Sequence, residues 1–116
     1  MKYKKESLEK AIQRSLNDVL QNECEDPRLS YVYIPKVILS NDLSVANVYY
    51  TISGTNEEIL NTKKVLFAAL PFLKRKLVID INTRKVPELK LKEDKGESNA
   101  RKVEEILNKL KDESKN

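Results

Sequence analysis

Residues 31–53 constrain the fold more than any other part of this chain. Tyr31 to Ser40 and Ser44 to Ser53 are rich in Val, Ile and Tyr, and only a short polar turn at Asn41-Asp42 separates them. β-branched and aromatic side chains suit a pleated, half-buried surface, so the two runs read as a β-hairpin. The second run alternates Ala46, Val48, Tyr50 and Ile52 with Asn47, Tyr49, Thr51 and Ser53, which leaves one face to pack on helices. Pro35 lies inside the first run and has no N–H for a ladder, so it requires a bulge or an edge-facing position. Tyr31 and Tyr33 share a strand face, where tyrosine is read as packing rather than as a platform for nucleic-acid bases.

The flanking segments change to helical spacing. Within residues 7–24, Leu8, Ala11, Ile12, Ser15, Leu16, Val19 and Leu20 form one stripe, and Glu9, Lys10, Gln13, Arg14, Asn17 and Asp18 take the other face. Asp26-Pro27 stops that helix. Thr55-Asn56-Glu57-Glu58 begins another, with acidic residues where they suit the helix dipole. Ile59, Thr62, Leu66, Ala69, Leu73 and Leu77 keep helical spacing across Pro71, whose missing N–H and bulky ring must kink or break the helix. Leu77 to Ile81 is ambiguous; local pattern slightly favours a strand pairing with Val86 to Lys92 over a helix. Ser98 caps a last helix striped by Ala100, Val103, Leu107 and Leu110, ahead of a polar tail at Asp112 to Asn116.

With 116 residues, 40% apolar and 34% charged, the chain is long enough for one core and too short for two. Gly54 and Gly96 are the only glycines and lie too far apart to form one phosphate-cradling loop, which excludes the dinucleotide and Walker motifs. A single Cys24 forms no internal disulfide, and a chain without His offers no zinc or haem ligand set, so no cofactor is expected. Cys24 reads as a small buried hydrophobe rather than a nucleophile, since no His is present to activate it. The N-terminus lacks the apolar segment of a signal peptide, and the longest apolar stretch, Val65 to Leu73, is about half of the roughly 20 residues a membrane span needs. The expected compartment is the reducing cytoplasm, with no membrane partner.

Net charge is +4, unevenly distributed. Residues 61–92 carry nine Lys and Arg against Asp80 and Glu88 alone, while every other stretch is near neutral or slightly acidic. A positive field confined to one segment points to a polyanionic partner such as nucleic acid. Lys63-Lys64 precede the kink, Lys74-Arg75-Lys76 follow it, and Arg84-Lys85 and Lys90 and Lys92 lie beyond. Basic groups on both sides of one bend can straddle a phosphate backbone, and a helix N-terminus near Pro71 adds positive dipole.

Enzyme chemistry is thinly represented. Without His, acid–base work falls to Asp, Glu, Lys or Tyr. Asp42 is the most tempting acid, but its place in a hairpin turn gives it an ordinary structural role accepting backbone N–H groups, together with Ser40. Glu57-Glu58 and Glu104-Glu105 are sequence neighbours on helices and point apart. A metal-dependent nuclease built on Asp42 is the remaining enzyme reading, and turnover on RNA would reveal it.

The stretch Val37-Ile38-Leu39-Ser40-Asn41-Asp42-Leu43-Ser44-Val45-Ala46-Asn47-Val48-Tyr49 resembles the hairpin signature of bacterial ribosome-binding factor A, a Ser-Xaa-Asp-Leu turn followed by Ala-Xaa-Val-Tyr. Asp26-Pro27-Arg28-Leu29 and Val86-Pro87-Glu88-Leu89 extend the likeness in order over roughly residues 3–95. The resemblance implies an α+β, type II K-homology-like domain of α-β-β-α-kink-α-β order over residues 1–95, with residues 96–116 forming a short C-terminal helix and tail. It implies helix to about Asp80. It further implies a monomeric, cytoplasmic, non-enzymatic factor that binds the free small (30S) ribosomal subunit, promotes late maturation of its rRNA including the 5′ end, and is linked to growth in the cold. Where the family kink reads Ala-Xaa-Gly, this chain has Ala69-Leu70-Pro71; proline can open the second helix, which makes side chains the main contacts. On this reading Ala69 and Pro71 set the bend, Lys63, Lys64, Lys74, Arg75 and Lys76 clamp phosphates, and Arg84 and Lys85 extend the surface. The alternative is a protein-binding adaptor that docks through the hairpin edge or the C-terminal helix.

Overall fold

Helix α1 (Lys5–Asn22) forms because its stripe is continuous, and Leu8, Ile12, Leu16, Val19 and Leu20 are all buried. It ends at Glu23, whose amide still reaches the Val19 carbonyl. The computed structural model that shows this describes residues 4–82 and 86–94. Asp26 then caps a 3-10 turn, Pro27–Tyr31, by accepting the Arg28 amide, and clamps the Arg28 guanidinium at 3.0 and 2.7 Å. Those bonds hold the Asp26 carboxyl below its usual range. The Asp-Pro-Arg-Leu motif is thus one structural device: a cap, a fixed φ, a clamp, and Leu29 delivered to the core.

Strands β1 (Val32–Leu39) and β2 (Val45–Ile52) pair antiparallel, and β3 (Glu88–Glu93) adds to β2 in parallel, giving the order β1-β2-β3. Pro35 lies in a bulge: between the pairs Tyr33↔Thr51 and Lys36↔Tyr49, β1 holds one more residue than β2. The extra residue keeps both Ile34 and Val37 buried. Side chains of α1 satisfy the backbone there. Asn17 Oδ1 accepts the Ile34 amide at 2.8 Å while its Nδ2 donates to the Ile34 carbonyl at 2.9 Å, and Gln13 Nε2 donates to the carbonyls of Ile34 and Pro35 at 3.1 and 2.9 Å. Further along, Glu9 Oε2 accepts the Leu39 amide at 2.8 Å. So part of the polar face of α1 is turned to a strand edge, and the edge that sheets must shield from foreign strands is shielded.

Gly54, at φ +134°, leads into helix α2 (Asn56–Ala68), and a Cβ there would come within 2.9 Å of Glu58 Oε1. Thr55 opens the helix with a full capping box: its hydroxyl accepts the Glu58 amide at 3.2 Å and Glu58 accepts the Thr55 amide at 2.8 Å. Helix α3 (Leu70–Ile81) carries the segment that local pattern slightly favours as a strand. Leu73, Leu77 and Ile81 recur every fourth residue and are buried, and Ser15 Oγ of α1 donates to Asp80 at 2.8 Å. Tertiary burial of a helical stripe overrides the β-branched residues, whose exposed members are Val78 and Ile79. The expected pairing of that segment with Val86 to Lys92 gives way to the parallel β2–β3 ladder. Asn82, in the left-handed region at φ 54°, ends α3.

The helices cover one face of the sheet, where Val32, Ile34, Val37, Leu39, Ala46 and Val48 are all buried. The element order, apart from the 3-10 turn, is the α-β-β-α-α-β implied by the resemblance, and the α+β architecture is compatible with a K-homology-like domain. The C-terminal helix expected from Ser98 lies outside the described residues.

Candidate nucleic-acid interface

A single residue joins α2 to α3. Ala69 stays in the right-handed helical region at φ −83° and ψ −5°, its amide is shared by the carbonyls of Val65 and Leu66, and its carbonyl accepts the Leu73 amide at 2.9 Å. Pro71, in the first turn of α3, has no amide to continue the ladder from Phe67. The join is therefore a kink with no loop. Leu66 before it and Leu73 after it are both buried, so packing fixes the bend from both sides.

The structure divides the basic residues that the sequence groups together. Consecutive helical residues point about 100° apart, so Lys74, Arg75 and Lys76 fan around α3 rather than sharing one direction. Lys74 is exposed and borders a cleft of about 430 Å³ with Phe67, Leu70, Pro71, Glu88 and Leu89. Arg75 is exposed, with its guanidinium carbon 5.9 Å from the centroid of the Phe72 ring. The Lys76 ammonium is also 5.9 Å from that ring centroid, and it pairs with Glu23 at 2.8 Å, which raises its pKa. Before the kink, Lys64 is exposed, whereas Lys63 lies 3.8 Å from Glu93. Among the described residues, Lys64, Lys74 and Arg75 have no carboxylate partner within 4 Å. Arg84 and Lys85 lie outside the described residues. The acidic partners Glu23 and Glu93 are not legible as such in the sequence; the nearness of Lys76 to the Leu73 and Leu77 stripe is the one available signal.

Asp42 is engaged by its own turn. Its Oδ1 accepts the hydroxyls of Ser40 and Ser44 at 2.8 and 2.7 Å and the Ser44 amide at 3.1 Å, while the Ser40 hydroxyl accepts the Val45 amide at 3.0 Å. Leu43, at φ 63°, completes the reversal. The two hydroxyls, Ser44 first, lower the Asp42 pKa to about 2, so this carboxylate is a poor proton carrier near neutrality. Cys24 is half-buried, and burial first, then Glu23 and Asp26, push its thiol up, against any nucleophilic role. Among the described residues no group of three or more Cys, Asp or Glu could hold a metal ion, and no helix is long and apolar enough to cross a membrane. Tyr31 and Tyr33 correct the sequence reading: they are 59% and 53% exposed, Tyr33 on the strand face turned away from the helices, and Tyr31 at the end of the 3-10 turn, where it lines a cleft with Gly54, Glu58 and Thr62.

Residues 4–107 match the family model of ribosome-binding factor A. The chain belongs to the ribosome-binding factor A family. Its fold is similar to the crystal structure of ribosome-binding factor A from Thermus thermophilus, at 31% identity and a TM-score of 0.65, over 78% of this chain and 97% of that one. It is also similar to the solution structure of a putative ribosome binding factor A from Thermotoga maritima, at 36% identity and a TM-score of 0.67, over 82% and 91%. A third likeness, at 31% identity and a TM-score of 0.62 over 76% and 92%, is to coordinates of the Thermus thermophilus factor fitted into an electron-microscopy map of its 30S complex. Within this family's fold, Pro71 stands where the resemblance implies glycine, and the chain still closes the kink on Ala69 with buried leucines on either side.

Proposed function

We propose that this chain is a non-enzymatic assembly factor that binds the free 30S subunit in the cytoplasm as a monomer, touches its rRNA, and promotes late maturation including processing of the rRNA 5′ end. One observation carries the reading: Lys64, Lys74 and Arg75 stand exposed on both sides of the kink with no carboxylate partner within 4 Å among the described residues, in a family named for ribosome binding. Cations left unpaired by their own chain suit phosphates, and such contacts position rRNA without selecting sequence. Lys63 and Lys76 would exchange Glu93 and Glu23 for phosphate, and Arg84 and Lys85 would extend the surface. The adaptor reading loses one of its two routes, since α1 side chains cover the β1 edge.

Co-sedimentation with purified free small subunits across a salt series tests this. Lys64→Glu/Lys74→Glu/Arg75→Glu should bind far more weakly with unchanged melting, and the salt slope should fall by roughly one for each phosphate no longer neutralised. Lys4→Glu/Lys10→Glu/Arg14→Glu, equal in charge change and placed at or beside α1, should bind nearly as wild type. Equal weakening by both would mean that bulk charge alone counts. For the processing role, cells lacking the factor should accumulate small-subunit rRNA with unprocessed 5′ ends, and normal ends would remove that part of the proposal.

A further inference from the structure

The sheet face turned away from the helices is not an ordinary solvated surface. Tyr33 is 53% exposed there, and Ile38 is 42% exposed. The ladder sets Lys36 opposite Tyr49 and Tyr49 opposite Lys92, so one aromatic ring on the central strand has a lysine on each neighbouring strand. The contact with Lys36 is made: its ammonium lies 4.8 Å from the Tyr49 ring centroid. The next row sets Ile38 opposite Asn47 and Asn47 opposite Lys90. Glu88, opposite Val45, is the one carboxylate inside the paired register on this face among the described residues, and Asp94, whose amide bonds the Tyr50 carbonyl, follows with the same parity just past the other end and is buried.

We infer that this outer face is a second nucleic-acid surface, distinct from the kink, which takes a single-stranded RNA segment by stacking bases on Tyr33 and Tyr49 while Lys36, Lys90 and Lys92 meet its phosphates. The chemistry selects RNA over a protein partner. Lysine is depleted in protein–protein interfaces, whose buried centres are apolar, whereas here Lys36 and Lys92 flank the Tyr49 ring in one row and Lys90 follows in the next. A tyrosine ring beside a lysine supplies what an unpaired nucleotide offers to be bound, a π-face and an adjacent negative charge. Duplex RNA fits poorly, because its stacked bases hide their faces. The surface also explains why Tyr33 stays out of the core that receives Tyr50.

The test uses the full chain and a fluorescently labelled decauridylate, followed by anisotropy. Wild type should bind, and binding should weaken with added salt. Tyr33→Ser/Tyr49→Thr should weaken it by about tenfold or more, since stacking on each ring is removed. Tyr33→Phe/Tyr49→Phe, which keeps the rings, should stay within about twofold of wild type. If the Ser/Thr variant fails to fold, Lys36→Gln/Lys92→Gln probes the same face without touching a ring and should reduce the salt slope by about two. Unchanged binding by both the tyrosine and lysine variants would overturn the inference, as would no binding by wild type, or equal loss in the Phe variant. If only the kink triple variant failed to bind the oligonucleotide, the RNA would sit at the kink, and the outer face would be left to a protein. Subunit co-sedimentation reads the kink separately, so failure of one surface does not decide the other.

Discussion

On α1, Glu9, Gln13 and Asn17 follow one another at four-residue intervals and all three bond the backbone of β1; around Ala69, Lys64, Lys74 and Arg75 stand exposed and pair with no carboxylate of the described chain. Both sets are polar residues on amphipathic helices. The difference lies in what is within reach. A strand edge runs beside α1, with unpaired amides and carbonyls around a bulge, so side chains there are consumed in holding the fold. The kink also borders an edge strand, since Lys74 shares a cleft with Glu88 and Leu89 of β3, but Lys64, Lys74 and Arg75 are not drawn into bonds with that strand's backbone, and these cations remain for a partner. Variants at the first site should therefore change stability and leave affinity per folded molecule alone, whereas variants at the second should do the reverse.

Asn17→Ala should give the largest stability loss. It strips the Ile34 amide of its acceptor in a part-buried place, which costs about 2 kcal/mol, and chemical denaturation would read it. Subunit binding by the folded fraction should not move; a loss of binding at unchanged stability would erase the distinction between the two regions. Thr55→Ala removes the capping box that starts α2, far from the kink cations, and should cost about 1 kcal/mol, with faster hydrogen exchange confined to the first turn of that helix. Uniformly faster exchange would show that the cap supports the whole domain.

Pro71→Gly sharpens the comparison on the other side. Leu66 and Leu73 hold the bend by burial, so binding should be retained and stability should fall by less than about 1 kcal/mol through added freedom of the unfolded chain. A large loss of affinity would make proline itself part of the interface. The smallest effect belongs to Asp42. Its folded pKa, about 2, lies below the ordinary carboxylate value, so its contribution is fully present above about pH 4 and is lost as pH falls through 2. Denaturation curves at pH 5 and pH 2.5 should differ slightly less for Asp42→Asn than for wild type; an identical difference would mean that the turn's hydroxyls do not act on this group.

Much of the hairpin is legible in the sequence, because period-two alternation, Pro35 and the Ser-Xaa-Asp turn each carry local physical meaning. The kink is legible for the same reason: a proline inside a helical stripe has few outcomes. Relations between distant elements are not. Leu77 to Ile81 needs Ser15 and the buried stripe to become helix, Gln13 and Asn17 need the bulge 17 to 22 residues on, and the pairing of Lys76 with Glu23 crosses two elements and the whole hairpin. Tyr33 misleads because a strand face reads the same whether helices cover it or leave it open.

Tethered hydroxyl-radical probing asks most directly which side of the molecule faces rRNA. With Cys24→Ser as background, an iron chelate is attached either to Ala68→Cys, exposed beside the kink, or to Arg14→Cys, exposed on α1, and each protein is bound to free small subunits. Cleavage of small-subunit rRNA from the kink position, with little or none from α1, is the expected result. Strong cleavage from Arg14→Cys with none from Ala68→Cys would contradict the account, because the cations left unpaired at the kink would then face away from the RNA they are held to bind.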